Sequence, residues 1–397
     1  MTDAQPSYGP SLLKLLLLAT ALFVVGTNAF VIAGLLPEIA ADLRATPSAV
    51  SYAITGYALV VAIASPAVAL LLPRVPRSTL MAAGVAVLGL GSALAVLAPD
   101  LPLFIAGRTL AGLGGAALVP TATAAAAALV PPQRRGRALA LVGAGFTLAT
   151  AVGSPLGTAL GEAFGWRAPL WSLVALAALL AVAIPLFVGH VPLAGPASFA
   201  RRLAPLRDPR ILAVLGATAL LTAGFNTVYI RSAAVTEQAT GGSGTALAAL
   251  LLVYGLAGVA GNIAIGPVTD RVGNRATATL ALAGQIVALA ALALVFRSFV
   301  ADVVVFAVWG VVAFAATVPV QHRLVTIDSE QAAHAISWYS TAMYLGIAIA
   351  PPLGAAALAT GGAAAVPVTG AIATALALVS FLLGYVRRRT ASPALPA

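Results

Sequence analysis

One basic side chain, Arg108, falls well inside an apolar stretch of this 397-residue sequence. A charge at such a position costs about 2.5–3.5 kcal/mol on insertion scales unless it faces a packed interior or a wet cavity. Two uses fit it: orienting a bound small molecule or coupling to a proton. It lies near the start of its stretch, so snorkelling of its long stem to the nearer interface is the plainer alternative. Uncharged polar groups recur in comparable stretches, namely Asn28, Tyr57, Asn226, Tyr229, Asn262, Gln285, Trp309, Trp338 and Tyr344. Buried amides and hydroxyls seek partners, which suits them to lining a small-molecule pathway; bonding between helices and interfacial aromatic belts are the competing uses. All eleven acidic residues can be placed outside the apolar stretches or at their ends. With Arg108 unopposed by a deep carboxylate, the expected ligand is neutral or weakly anionic, and strongly cationic compounds are disfavoured. His190, His322 and His334 are scattered, Cys is absent and there is no Walker A sequence. No nucleophile–base pair, metal cluster or ATP site is therefore expected, and the reading is of a non-enzyme without metal or cofactor.

The elements that carry these groups follow from composition. Hydrophobic residues make up 61% of the chain and charged residues 8%, against about 25% charged in soluble domains, which excludes a soluble globular protein. Continuous apolar runs in lipid must be helices, because backbone polar groups have to be satisfied within the segment. Twelve such runs are expected at about 12–36, 49–72, 79–97, 102–130, 138–160, 169–189, 210–231, 244–268, 276–297, 302–322, 333–358 and 365–386. The fold class is thus an all-α polytopic membrane protein. The net charge of +10 is dispersed between the runs, so it sets topology and does not form a nucleic-acid surface. Sixteen of the 21 Lys and Arg residues fall on the side of the termini and only four on the other, which predicts both termini in the cytoplasm.

The longest hydrophilic connection, 190–209, divides the chain into a bundle of six spans over 1–189 and a second over 210–397. The halves repeat. Pro73-Arg74-Val75 corresponds to Asp270-Arg271-Val272 (271 − 74 = 197), and Ser154-Pro155-Leu156-Gly157 to Pro351-Pro352-Leu353-Gly354 (354 − 157 = 197). Gly26-Thr27-Asn28 matches Gly224-Phe225-Asn226 at an offset of 198. Parallel repeats of this kind place a substrate site at mid-membrane between two pseudo-symmetric six-helix bundles.

Four motifs resemble the major facilitator superfamily, and within it the bacterial drug:proton antiporters of the arabinose-efflux and chloramphenicol-exporter kind. One is Gly266 followed by Asp270-Arg271-Val272-Gly273-Asn274-Arg275; another is Arg108 with Gly112 and Gly114. The third is the fifth-span set Gly145, Gly153, Pro155, Gly157 and Gly161, and the fourth is Gly34-Leu35-Leu36-Pro37-Glu38-Ile39-Ala40-Ala41-Asp42-Leu43 with the segment 161–167. The resemblance implies a monomeric secondary transporter of a bacterial inner membrane, exporting a small amphipathic compound in exchange for protons. An importer or uniporter of a neutral or anionic nutrient such as a sugar is the alternative. Asp270, Arg271, Gly273 and Arg275 then form a conformational latch, with Arg137 at the entrance of span five as the expected cationic partner of Asp270. The fifth-span residues suit a moving seam or general helix packing. Two departures stand out: Pro73 replaces the latch carboxylate of the first half, and Ala29 stands before Phe30 where many antiporters carry Glu.

Overall fold

The computed structural model describes residues 9–72, 74–189, 191, 202–295, 297–328 and 330–385, and these form helices and connections with no strand among them. Pro73 and most of the 190–209 connection lie outside the described residues. Among the described residues eleven helices are long and apolar enough to cross a bilayer: Leu12–Gly34, Pro47–Val68, Arg77–Val96, Leu101–Ala128, Arg135–Phe164, Arg167–Val188, Pro209–Ile230, Gly244–Val272, Asn274–Val295, Phe299–Ile327 and His334–Leu383. The last has 50 residues and breaks at Gly362, whose φ of 69° and ψ of −162° favour glycine, so it supplies spans eleven and twelve. Counted this way the chain has twelve spans, numbered here in order.

The polar breaks in the sequence act as helix caps. Thr46, Asp100, Asp208, Ser243 and Ser298 each accept a backbone N–H at the start of spans two, four, seven, eight and ten, and Pro47, Pro102 and Pro209 occupy first-turn positions where no N–H is needed. Several spans run on beyond the ends expected from hydropathy, and in spans ten and eight the local contacts show why. Span ten continues to Ile327 because Arg323 donates to the Gly384 carbonyl at 2.7 Å and lies 4.1 Å over the Tyr385 ring. Span eight continues through Asp270 and Arg271 to Gly273, whose φ of 89° ends it. Span five contains a π-helical turn at Ala149–Gly153 just before Pro155, which has no N–H to donate and crowds the preceding turn.

Packing within each half depends on small residues at regular spacing. A Cβ added at Gly145, Gly153, Gly157 or Gly161 would collide with the Ala19 carbonyl, Thr27, Val31 and Leu35 in turn. The offset is 126 throughout (145 − 19, 161 − 35), so span five runs parallel to span one and lies directly on it. The second half repeats the device at Gly346, which meets the Ala219 carbonyl at an offset of 127 (346 − 219), while Gly354 makes room for the Arg231 side chain beside the Thr227 carbonyl (354 − 227 = 127). The fifth-span glycines therefore face span one, inside the first half.

The other face of span five meets span eight. Gly255 packs directly on the Ala151 backbone, and its pseudo-symmetric counterpart is the seam between spans two and eleven, where Thr55 Oγ1 donates to the Ala348 carbonyl at 2.9 Å. Toward the end of the molecule that carries the 190–209 linker, this seam parts. Gly143 and Gly266 have nothing within 4 Å of where a Cβ would stand, and Ile263 and Val268 are exposed.

Candidate substrate pathway

Three of the polar residues picked out from sequence meet in the first half. Arg108 is fully buried; its Nη1 donates to Asn28 Oδ1 and its Nη2 to the Asn28 carbonyl. Asn28 Nδ2 in turn donates to Ser92 Oγ at 2.6 Å, which ties spans one, three and four together. The guanidinium carbon stands 5.0 Å over the Tyr57 ring, a cation–π geometry in a desolvated place. Gly112 and Gly115 make the room for this stack, the first lying against the Tyr57 backbone and the second against its hydroxyl. The fourth-span motif therefore serves two neighbours: Gly112, with Gly115 beside it, lets span two bring an aromatic face to Arg108, while Gly114 packs on the Gly84 and Leu88 backbone of span three. Arg108 does not snorkel.

The second half carries the same scaffold with a different centre. Gly310 abuts the Tyr254 backbone as Gly112 abuts Tyr57 (310 − 112 = 198, 254 − 57 = 197), while Phe306 stands at the position of Arg108 (306 − 108 = 198). In place of a charged network there is a line of rings: Phe30 to Tyr229 at 5.9 Å, Tyr229 to Tyr254 at 5.5 Å, Tyr254 to Trp309 at 4.4 Å and Trp309 to Phe306 at 5.3 Å. This line crosses between the halves at Phe30 and Tyr229, and there Tyr229 Oη donates to Ser154 Oγ at 2.9 Å.

Several polar atoms along this line and beside it are buried with no hydrogen-bond partner among the described residues, including Tyr254 Oη, Trp309 Nε1 and Tyr344 Oη; Asn226 Oδ1 on span seven is likewise unpartnered. Tyr344 belongs to span eleven one turn before Ala348, so it approaches the same region from the other seam. Buried donors and acceptors left open in this way mark a place where water or a ligand completes the bonding.

The remaining residues lie apart. Gln285 Nε2 donates to Thr374 Oγ1 at 2.9 Å between spans nine and twelve. Asn262 spends its amide on Phe314 O and Thr317 Oγ1, both at 3.5 Å. Trp338 Nε1 donates at 2.9 Å to the Arg202 carbonyl, which pins the linker to the start of span eleven. Asp270, Arg271 and Arg137 are exposed at the parted end of the seam, Asp270 has no ion-pair partner among the described residues, and Arg275 stands 5.5 Å over the Tyr385 ring. Sequence reasoning passed over Tyr254, although the 197-residue repeat maps it onto Tyr57. It also passed over Ser92, Ser154, and Arg231, which is buried and donates across the halves to Ser51 Oγ at 3.0 Å. Asp302, read as a solvent-side span end, is fully buried in the first turn of span ten.

The profile of the Major Facilitator Superfamily matches residues 18–351. The chain belongs to this superfamily. The inner membrane transport protein YdhP of Escherichia coli K12 is 31% identical over 92% of this chain and 94% of its own. A chloramphenicol resistance protein of Streptomyces lividans is 30% identical over 93% of this chain and 95% of its own. Among solved structures, the nucleoside transporter NupG superposes with a TM-score of 0.76 at 12% identity, covering 94% of this chain and 99% of its own. As a major facilitator the protein is a multi-pass membrane transporter, and the twelve spans, in two pseudo-symmetric sixes, are the helices of that fold.

Proposed function

We propose that this transporter exports a small neutral or weakly anionic amphipathic compound in exchange for protons, by alternating access between the bundles 1–189 and 210–397. The observation that carries the reading is the junction of the halves, where a line of aromatic rings crosses the seam and Tyr254 Oη, Trp309 Nε1 and Tyr344 Oη are buried with no partner among the described residues. Aromatic faces with a few fixed polar groups suit an amphipathic molecule with oxygen acceptors. The chloramphenicol resistance protein among the relatives supports a drug of that chemistry. In this reading both termini and the linker are cytoplasmic, as the excess of basic residues on that side requires, so the conformation described here opens inward. The transporter acts as a monomer in the lipid bilayer.

Expression in a susceptible host should raise tolerance to neutral amphenicols and leave tolerance to lipophilic cations unchanged. Export of cations in preference to amphenicols would overturn this substrate class.

A latch at Asp270 belongs to the same reading. When the inner end closes, Asp270 meets the entrance of span five, where Arg137 and the positive helix end favour a carboxylate. Asp270→Asn should then shift the resting population further toward the inward-open state and lower turnover by about three- to tenfold. Distances between labels on the two inner ends check it, and an unchanged distribution would remove the latch.

A further inference from the structure

At the end of the molecule that carries the linker, spans nine, ten and twelve meet around an open cavity of about 900 Å³. Its wall holds three basic side chains, Arg275, His322 and Arg323, and no carboxylate. Arg275, the last residue of the motif that begins at Gly266, stands 5.5 Å over the Tyr385 ring, and Arg323 stands 4.1 Å over the same ring. Tyr385 Oη accepts from Asn274 Nδ2 at 2.9 Å, which fixes the ring against the start of span nine. Arg323 spends Nη2 on the Gly384 carbonyl and leaves Nη1 with no hydrogen bond among the described residues. The neighbouring acids are turned to other work. Asp208 is paired with Arg210 at 2.7 Å, Asp328 accepts from the backbone N–H groups of Glu330 and Gln331, and neither these two nor Asp270 lines the cavity. Span nine begins at this wall, so its first free backbone N–H groups add to the positive field. One ring thus gathers like charge that nothing in the wall offsets.

Away from these charges the surroundings turn apolar. Leu280 lines the cavity and is exposed, and Val287 and Leu294, seven and fourteen residues further along span nine, are exposed on the same face. Leu376, Val379 and Leu383 are exposed on span twelve, and the bond from Gln285 to Thr374 holds the two spans side by side. An apolar strip about 21 Å long therefore leads from the cavity into the membrane. We propose that the cavity binds the headgroup of an anionic phospholipid whose acyl chains lie along this strip. A phosphodiester carries one negative charge and accepts from guanidinium forks, and basic pockets between spans suit such headgroups. A zwitterionic lipid brings its own cation to a wall that already holds three basic groups, so the site discriminates against it. Filled, it holds the ends of spans nine, ten and twelve together as one body.

Native mass spectrometry of the protein released from mixed micelles of dioleoylphosphatidylglycerol and dioleoylphosphatidylcholine reads the preference. The unmodified protein should retain the anionic lipid over the zwitterionic one by at least about tenfold, and Arg275→Gln should lower that ratio about fivefold, the contribution of one basic residue at an anionic surface. Arg323→Gln should lower it at least as much. Because Arg323 also holds the Gly384 carbonyl, Arg275→Gln decides the matter if the Arg323 variant does not fold. Arg135→Gln removes the same charge from an exposed position on the same side and should leave the ratio within about twofold. Equal retention of the two lipids by the unmodified protein would overturn the proposal. An equal loss in Arg135→Gln and Arg275→Gln would overturn it too, since the preference would then belong to the whole basic face. Inorganic phosphate should displace no more of the anionic lipid than sodium chloride of equal ionic strength does. Specific displacement by phosphate would make this a site for a free anion and overturn the lipid.

Discussion

Arg108→Ala should reduce transport at least about tenfold while the protein still inserts and folds, because removing a buried charge relieves an insertion cost of about 2.5–3.5 kcal/mol. What is lost is the hold on Asn28. Both terminal nitrogens of Arg108 grip that one residue, through its side-chain and main-chain oxygens, and Asn28 stands two residues before Phe30, whose ring touches Tyr229 across the seam. Without the guanidinium, Asn28 Oδ1 is buried with no partner, a penalty of about 1–3 kcal/mol that span one can relieve by shifting. Arg108→Lys should not rescue transport, since an ammonium is a point charge without the planar fork that reaches two acceptors at once. Flux in liposomes, normalised to correctly inserted protein, decides it. Normal flux in the Ala variant would show that the network only fills space.

Gly145→Val should have the largest effect on folding. A Cβ there would overlap the Ala19 carbonyl, which is backbone and has no rotamer to adopt, so spans one and five must separate along their whole contact. Overpacking of a close-packed interface costs about 1–3 kcal/mol even where side chains can adjust, and here they cannot. The expected outcome is little monodisperse protein after extraction. Gly143→Val, two residues away on the same helix with open space around it, is the control and should yield normal protein. Equal yields from the two variants would contradict the direct contact between spans one and five.

How much of this could be read in advance depended on the kind of signal. The spans were legible because hydropathy and length are properties of the chain alone. The repeat was legible too, and it proved informative beyond its motifs: the offset of 197 that links Pro155 to Pro352 also carries Tyr57 onto Tyr254, and an offset of 198 carries Gly112 onto Gly310. The direction in which a polar group points was not legible. These spans are apolar nearly all round, so no polar stripe marks which face looks inward, and Asn262, Gln285 and Asn28 read alike. Only packing distinguishes Asn28, gripped by Arg108, from Asn262, which bonds a neighbouring helix. The fifth-span glycines were ambiguous for a related reason. Small residues mark close approach but do not name the helix approached, and here it is span one, with Ala151 and Ser154 on the flank that meets the other half.

The exchange of an amphipathic substrate for protons is tested most directly in proteoliposomes containing a pH-sensitive dye and no imposed gradient. Addition of a neutral amphenicol outside should drive protons out of the lumen as the compound enters, so the interior becomes alkaline only when protein is present, and Arg108→Ala should abolish the signal. Entry of the compound with no change in internal pH, or with acidification of the lumen, would contradict exchange.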